Sequence, residues 1–367
     1  MGTAVGRSKW ELDTPALCVE LTAMERNIQR MADIVIRQNR KGWRPHTKGQ
    51  KIPAIAHMEL AAGAFGVTCA KLGEAEVMAG AGIRDILVAN QIVGHEKVTR
   101  LAHLQRQADV MVAVDSFENA REIDAAARKA GTRVRVLVEV NVGLNRAGTE
   151  PGAPTVELAK RIADLPGLKL AGVMGWEAHT IRIEDQAEKR KAIEEAVGAR
   201  LVGSAEQIRA AGLPSEIVSC GGTGTYWITA TIPGVTEIQA GGGIFYDVHY
   251  CEHYRVPDHE FAMFIMSTVT SRPSPTRIVT DAGEKTMSSK QATSRPLNVG
   301  QIARVGLSAE HGTIQLEEPN TELKVGDKVE WIVGYSDFTT FLHDEMYALR
   351  DGVVAQVWPV LGRGKLR

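Results

Sequence analysis

The first two thirds of the chain alternate short apolar runs with longer stretches of helical period. After an opening candidate strand, ALCVEL, the segment TAMERNIQRMADIVIRQ sets Met24, Ile28, Met31 and Val35 at helical spacing. Eight further extended candidates follow in order: WRPHTK, GVTCA, DILVAN, DVMVAV, VRVLVEVNV, LAGVMGW, EIVSCG and TEIQAGG. Helix-like segments such as KLGEAEVMAGAG and SFENAREIDAAARKAG separate most of them. Repeated strand and helix units predict a parallel sheet, and eight of them predict an α/β fold closed into a (β/α)8 barrel of about 250 residues. A doubly wound open sheet is the rival, since periodicity alone does not separate the two. Beyond Phe261 the pattern changes. MFIMSTVTSRP, RIVTDAG, ARVGLSAEHGTIQLEEP, KVEWIVG and YALRDGVVAQVWPV are short, β-rich and divided by turn residues, with no strong amphipathic helix among them. They predict a second, β domain of about 110 residues.

Composition narrows the class of partner. The chain has 367 residues and a formal net charge of -1, which leaves no electrostatic footprint for nucleic acid and makes a small molecule the default ligand. The start, MGTAVGRSKWELDTP, lacks a long apolar core and a small-residue cleavage site, so no signal peptide is expected. Gly2 stands where a myristoylation signal would begin, but Arg7 and the context argue against that reading. Apolar runs are too short to span a membrane. Cys18, Cys69, Cys220 and Cys251 are too widely spaced for a zinc knuckle or a disulfide scaffold, and each is expected to act as a small buried hydrophobe. A cytoplasmic location follows as the expectation.

Barrel chemistry sits where strands end and βα loops begin. Lys48, in RPHTKGQK, falls at the end of the first candidate strand, and Asn145 and Arg146 follow the fifth. Trp176, Glu177 and His179 follow the sixth in GWEAH, SCGGTGTY follows the seventh, and QAGGGIFYD follows the eighth. The glycines of GGTGTY let backbone N–H groups approach an anion without interference from a Cβ. Barrels often bind phosphate at the loops after the seventh and eighth strands. The spacing is neither G-x-G-x-x-G nor a Walker loop, which weakens nucleotide readings. An amine across the same rim could condense with an aldehyde, and pyridoxal phosphate is an aldehyde carrying a phosphate. A solvated basic loop, or a barrel handling sugar phosphates, satisfies the same residues.

Several blocks taken together resemble one family. RPHTKGQK, GVTCAKLGEAEVMAGAGIRDILVAN, VEVNVGLNRAGT, VSCGGTGTY, TEIQAGGGIFYD, VTDAGEKTMS, SAEHG and VWPVLGRGK are similar to blocks of the D-threonine aldolase and eukaryotic-type D-serine dehydratase family. These are pyridoxal-phosphate enzymes of fold type III, with an alanine-racemase-like fold. The resemblance implies that Lys48 is the Schiff-base lysine, with Lys51 an accompanying residue. It implies that Arg146 lies beside the cofactor ring and that Gly222, Thr223 and Gly224 cradle the phosphate, with Tyr226 close by. It further implies that His179 acts as a base near the substrate's β-hydroxyl. The expected division is an N-terminal segment, residues 1–20, joining the β domain; a barrel over residues 21–255; and a C-terminal β domain over residues 256–367. A homodimer is expected as well.

The chain departs from the family's pattern in two places. The family's His-Cys-Asp in the C-terminal domain binds a divalent metal (Mn, Mg or Zn), whereas this chain reads YSD, with Tyr335 in place of the histidine and Asp337 retained. Neutral tyrosine is a poor ligand and one carboxylate a weak site, so His343 in FLHDE is the substitute candidate. Trp176 stands where many relatives have tyrosine, which reshapes the substrate pocket. The expected reaction is retro-aldol cleavage of a D-3-hydroxy amino acid to glycine and an aldehyde. Dehydration with ammonia release, racemisation, and a non-catalytic cofactor-binding protein are the alternatives.

Overall fold

The computed structural model describes residues 4–367, so Gly2 lies outside the described residues. Two units divide the chain. One comprises Met31–Lys48, Pro53–Gly241 and Gly364–Arg367; the other comprises the N-terminal stretch through Arg30, together with Gly49–Ile52 and Gly242–Arg363.

In the first unit, eight strands form one all-parallel sheet. They are Gly42–Trp43, Val67–Cys69, Asp85–Gln91, Asp109–Val114, Val134–Glu139, Leu168–Met174, Ile217–Cys220 and Glu237–Ile238. Each pairs with its sequence neighbour from the second to the eighth, and the first pairs with the eighth. A parallel bridge between His46 and Thr68 joins the first strand's continuation to the second, so the sheet closes on itself. The open-sheet alternative is thereby set aside. The fourth strand is buried from Val110 through Val114, which explains its unbroken apolar run.

Local chemistry explains the irregular seam. Arg44 and His46 donate to the carbonyls of Ile238 and Gln239, each at 2.9 Å, while Thr68 donates to Pro45 at 2.8 Å. Pro45 has no N–H to return to the second strand, so the ladder is interrupted there. Opposite it, a Cβ on Gly241 would collide with the His46 backbone, so only glycine permits this approach. The helices follow equally local rules. Ser116 caps Phe117–Ala130 by accepting from the Asn119 amide at 3.3 Å, and Gly131 ends it in the left-handed region at φ 67°. Pro53 opens the helix Pro53–Ala61, where its missing N–H costs nothing.

Charged side chains are gathered at the strand starts. Arg44, 1% exposed, donates to Glu237 at 3.0 Å and to Asp85 at 2.5 Å, and Arg135 bonds Asp85 and Asp109 at 3.0 and 2.8 Å. Burial alone would lower the Arg44 pKa, but Glu237 and Asp85 more than offset it and hold the value above the ordinary one. Arg44→Met should lower stability by about 3–5 kcal/mol, because it leaves the buried Glu237 carboxylate without its cation. Urea denaturation measures this; a loss below ~1 kcal/mol would mean that Glu237 is compensated elsewhere.

The other unit is a nine-stranded, mostly antiparallel sheet. At its centre Ala16–Glu20 runs antiparallel to Met263–Ser274 and parallel to Glu345–Arg350. Glu345–Arg350 turns back into Val353–Pro359 through Asp351 and Gly352, whose φ values of 51° and 75° are those of a type I′ hairpin. Leu12, Ala16, Cys18, Met266, Leu349 and Val354 share one buried cluster. Short helices also occur here, including Val248–Glu252 and Ser336–Thr339. Cys18, Cys69 and Cys220 are buried as expected, but Cys251 is only half-buried, at the end of one of these short helices. Among the described residues no helix is long and apolar enough to cross a membrane.

Candidate active site

Within the barrel unit, Trp176 is the meeting point of the predicted residues. The Lys48 Nζ lies 5.2 Å from the centre of the indole ring, and the Arg146 guanidinium carbon lies 5.1 Å from it, both within cation–π range. A Cβ on Gly222 would come within 2.6 Å of the indole Nε1, so the glycine loop packs directly against the same ring. The amine after the first strand, the guanidinium after the fifth and the loop after the seventh thus converge on a residue following the sixth. Lys48 is half-buried, and its backbone N–H donates to His46 Nδ1 at 3.3 Å.

Arg146 is presented by a loop that folds around Asn141. The Asn141 Oδ1 accepts from the amides of Gly143 and Asn145 at 3.2 and 3.0 Å. Asn145 takes φ 55°, which asparagine tolerates better than most residues. The loop then returns to its strand, where the Asn141 amide donates to Thr149 and the Thr149 amide to Glu139. Beneath Arg146 stands Glu139, buried and 3.6 Å from the guanidinium. Gln91 donates to the other Glu139 oxygen at 2.5 Å. Burial raises the Glu139 pKa, while Gln91 and Arg146 pull it partly back. Glu139, Asn141, Leu144, Arg146, Ala147 and Trp176 line a small polar cleft.

His179 lies in the short turn Ala178–Thr180, exposed at the rim. Its ring lies over Gly143, where a Cβ would come within 2.8 Å of Cε1 and Nε2. Partial burial lowers its pKa below the ordinary imidazole value; Arg200 lowers it further and Glu177 opposes the change.

The glycine loop is held from behind. Its Gly221 amide donates to Glu177, its Gly222 amide to Thr225 Oγ1, and its Thr225 and Tyr226 amides to the Gly222 carbonyl. Thr223 and Gly224 are buried, and their amides have no acceptor among the described residues. Two such donors fit an anion, and a half-buried amine near the same indole fits an aldehyde. These residues therefore fit pyridoxal phosphate. Tyr226 is fully buried, edge-on to Trp227 at 5.6 Å.

The candidate metal ligands lie in the β unit and are engaged otherwise. The Tyr335 hydroxyl donates to Asp337 Oδ2 at 3.0 Å. Burial first, then the Asp337 charge, keeps that phenol protonated far above its ordinary range. Its ring packs against His249, Phe338 and Tyr250 at 4.8, 5.2 and 5.7 Å. Asp247 fixes the helix carrying Asp337 by accepting from the Ser336 amide at 2.7 Å, and burial raises the Asp247 pKa to about 7. The His343 Nε2 lies 2.8 Å from the Thr286 carbonyl, which orients the ring, and burial lowers the imidazole pKa. Among the described residues no group of three or more His, Cys, Asp or Glu side chains could hold a metal ion. A neutral phenol donating into the one carboxylate does not fit a divalent cation. Lys51 also belongs to this unit. Its φ is 57° and its carbonyl accepts from Gly362 at 2.9 Å.

Comparison with known proteins identifies the family. Residues 19–248 match the family described as alanine racemase, N-terminal domain, and residues 262–349 match a serine dehydratase domain. The 3-hydroxy-D-aspartate aldolase of Paracoccus denitrificans is 34% identical, over 98% of this chain and 94% of its own length. The D-threonine aldolase of an Arthrobacter species is 33% identical, over 96% and 93%. The chain belongs to the D-threonine aldolase and D-serine dehydratase family. It is a pyridoxal-phosphate enzyme on the alanine-racemase-like fold. A solved D-threonine aldolase from Filomicrobium marinum superposes with a TM-score of 0.94 at 35% identity, covering 99% of each chain.

Sequence reasoning named Lys48, Arg146, His179 and the glycine loop, but gave no role to Glu139, Gln91 or Glu177. A carboxylate ending an apolar strand, as Glu139 does, was the available signal. For Glu177 the sequence offered only its place in GWEAH.

Proposed function

We propose that the enzyme cleaves a D-threonine-like D-3-hydroxy amino acid to glycine and an aldehyde, with pyridoxal phosphate held on Lys48. The observation that supports this most is the convergence of Lys48, Arg146 and the Gly222 loop on Trp176. When bound, the cofactor supplies an electron sink for breaking the Cα–Cβ bond. Lys48 provides the amine that anchors its aldehyde, and the Thr223 and Gly224 amides provide donors for its phosphate. Arg146, with Glu139 behind it, sets a fixed cation beside the ring. His179 takes the β-hydroxyl proton as the bond breaks and the aldehyde leaves. The remaining carbon is then protonated to give glycine.

Incubation of the holoprotein with D-threonine, D-phenylserine and D-serine tests this reading, with aldehyde and ammonia assayed in parallel. Aldehyde with stoichiometric glycine is expected from at least one of the first two. Ammonia without aldehyde would move the reaction to dehydration, and neither product would end the lyase reading. A homodimer is part of the same proposal, supported by the family resemblance; a fully active monomer by light scattering would remove it.

The pH profile tests the base. His179 must be neutral to accept a proton, and its pKa is lowered, so it stays competent below the pH at which an ordinary imidazole charges. The acid limb of kcat/KM should therefore lie below about 6.5. Arg200→Ala removes one cause of the lowering and should move that limb upward. A limb that persists unchanged in His179→Gln would assign it to another group.

A further inference from the structure

Glu177 is a fully buried carboxylate that the proposed reaction does not use, and it stands behind the loop that the proposal assigns to phosphate. Its Oε1 accepts from Thr225 Oγ1 at 2.6 Å and from Thr229 Oγ1 at 2.7 Å, while its Oε2 accepts from the Gly221 amide at 3.3 Å. Of these three donors Gly221 opens the GGTG turn, Thr225 directly follows it and Thr229 lies four residues further on. One carboxylate therefore ties both arms of the loop to the end of the sixth strand.

The hydrogen-bond count explains the consequence. Thr225 Oγ1 has a single proton, with the Gly222 carbonyl at 3.3 Å as the competing acceptor. The shorter contact, to the Glu177 carboxylate, wins. The hydroxyl's lone pairs then face the Gly222 amide, which donates to it at 3.2 Å. A directed chain results, from Gly222 N–H through Thr225 to Glu177. It fixes Gly222 and leaves the Thr223 and Gly224 amides as the loop's uncommitted donors.

We infer that Glu177 is a positioning residue for anion binding: it holds the 221–225 loop in the one arrangement that offers two backbone donors to a phosphate ester. The inference rests on the phosphate reading proposed above. It adds that the selectivity for phosphate is set by a buried carboxyl group that the ligand never touches. A carboxylate behind an anion loop is electrostatically adverse for the anion. Its use there is intelligible only if the rigidity gained exceeds the repulsion, and three donors locked by one group provide that rigidity.

The full-length chain, stripped of cofactor, is titrated with pyridoxal 5'-phosphate and with pyridoxal, both followed by visible absorbance. The wild type should prefer the phosphorylated form. Glu177→Ala and Thr225→Val should each weaken pyridoxal phosphate binding by roughly 10–100-fold while leaving pyridoxal binding unchanged. Thr225→Ser keeps the hydroxyl and should restore the preference. Glu177→Gln should fall between, because its oxygen can still accept from both threonines but its NH2 would face the Gly221 amide. If Glu177→Ala does not fold, Thr225→Val carries the test, with a thermal melt as control. A wild type that binds pyridoxal as tightly as its phosphate would sink the phosphate reading and this inference with it. A wild-type preference that survives intact in both variants would overturn the role of Glu177 alone.

Discussion

Lys48→Ala should lower turnover by at least ~10³-fold and abolish covalent uptake of pyridoxal phosphate, since no second amine replaces a nucleophile that forms the bond to the cofactor. The geometry separates the amine from its charge. Lys48 Nζ lies near the Trp176 ring, and an arginine would keep that cation–π contact. A guanidinium does not lose its proton at neutral pH, however, so it cannot attack an aldehyde. Lys48→Arg should therefore be as inactive as the alanine variant while keeping the fold. Borohydride reduction of the wild-type holoprotein, followed by peptide mapping, should find the label on Lys48. The rival within the same motif is Lys51, three residues on, but its backbone is held at φ 57° with its carbonyl bonded to Gly362, in the other unit. A label on Lys51, or turnover in Lys48→Arg near the wild-type rate, would overturn the assignment.

The barrel was legible because its strands are buried on both faces, which leaves runs such as DVMVAV unbroken. Its seam was less so. WRPHTK reads as six extended residues, but the paired strand covers only Gly42–Trp43, and toward the second strand Pro45 lacks the donor that a continuous ladder needs. TEIQAGG likewise shortens to Glu237–Ile238. Local rules see a proline and two glycines; they do not see which neighbouring strand must be reached.

The candidate site divides in the same way. A lysine or a glycine loop placed after a strand is a local feature with a known location on a barrel. The groups that orient them are not local. Glu177 reaches Thr225 and Thr229 across 48 and 52 residues, and Gln91 reaches Glu139 across 48. No periodicity encodes those pairs. His343 illustrates the converse, since its closeness in sequence to Asp337 suggested a shared metal, whereas its ring is oriented by Thr286, 57 residues away, and the described residues bring no group of three ligands together. Sequence proximity of two ligand types is weak evidence when each has a polar partner from elsewhere in the fold.

Tyr335→His should make stability depend on added divalent metal, a dependence not expected of the wild type. In the wild type, the phenol is protonated and donates into Asp337 at 3.0 Å, so the carboxylate already has a neutral partner. Zinc or manganese added after dialysis should neither remain at stoichiometric level nor alter turnover. The substitution removes the donor that Tyr335 supplies and leaves a cavity between the rings of His249, Phe338 and Tyr250. Without metal, the variant should lose about 1–3 kcal/mol of stability. An imidazole beside a carboxylate is a real, if incomplete, site, and metal that binds only the folded chain stabilises it by mass action. Adding zinc at ~100 times its dissociation constant should return about 2.7 kcal/mol, visible as a rise in Tm that the wild type does not show. His343→Ala should leave both behaviours unchanged, because among the described residues His343 joins no group of three or more His, Cys, Asp or Glu side chains able to hold a metal ion. Elemental analysis of wild-type protein purified without chelator provides the decisive check. One tightly held metal per chain, lost in Asp337→Asn but kept in His343→Ala, would show that the phenol–carboxylate pair opens to a cation after all.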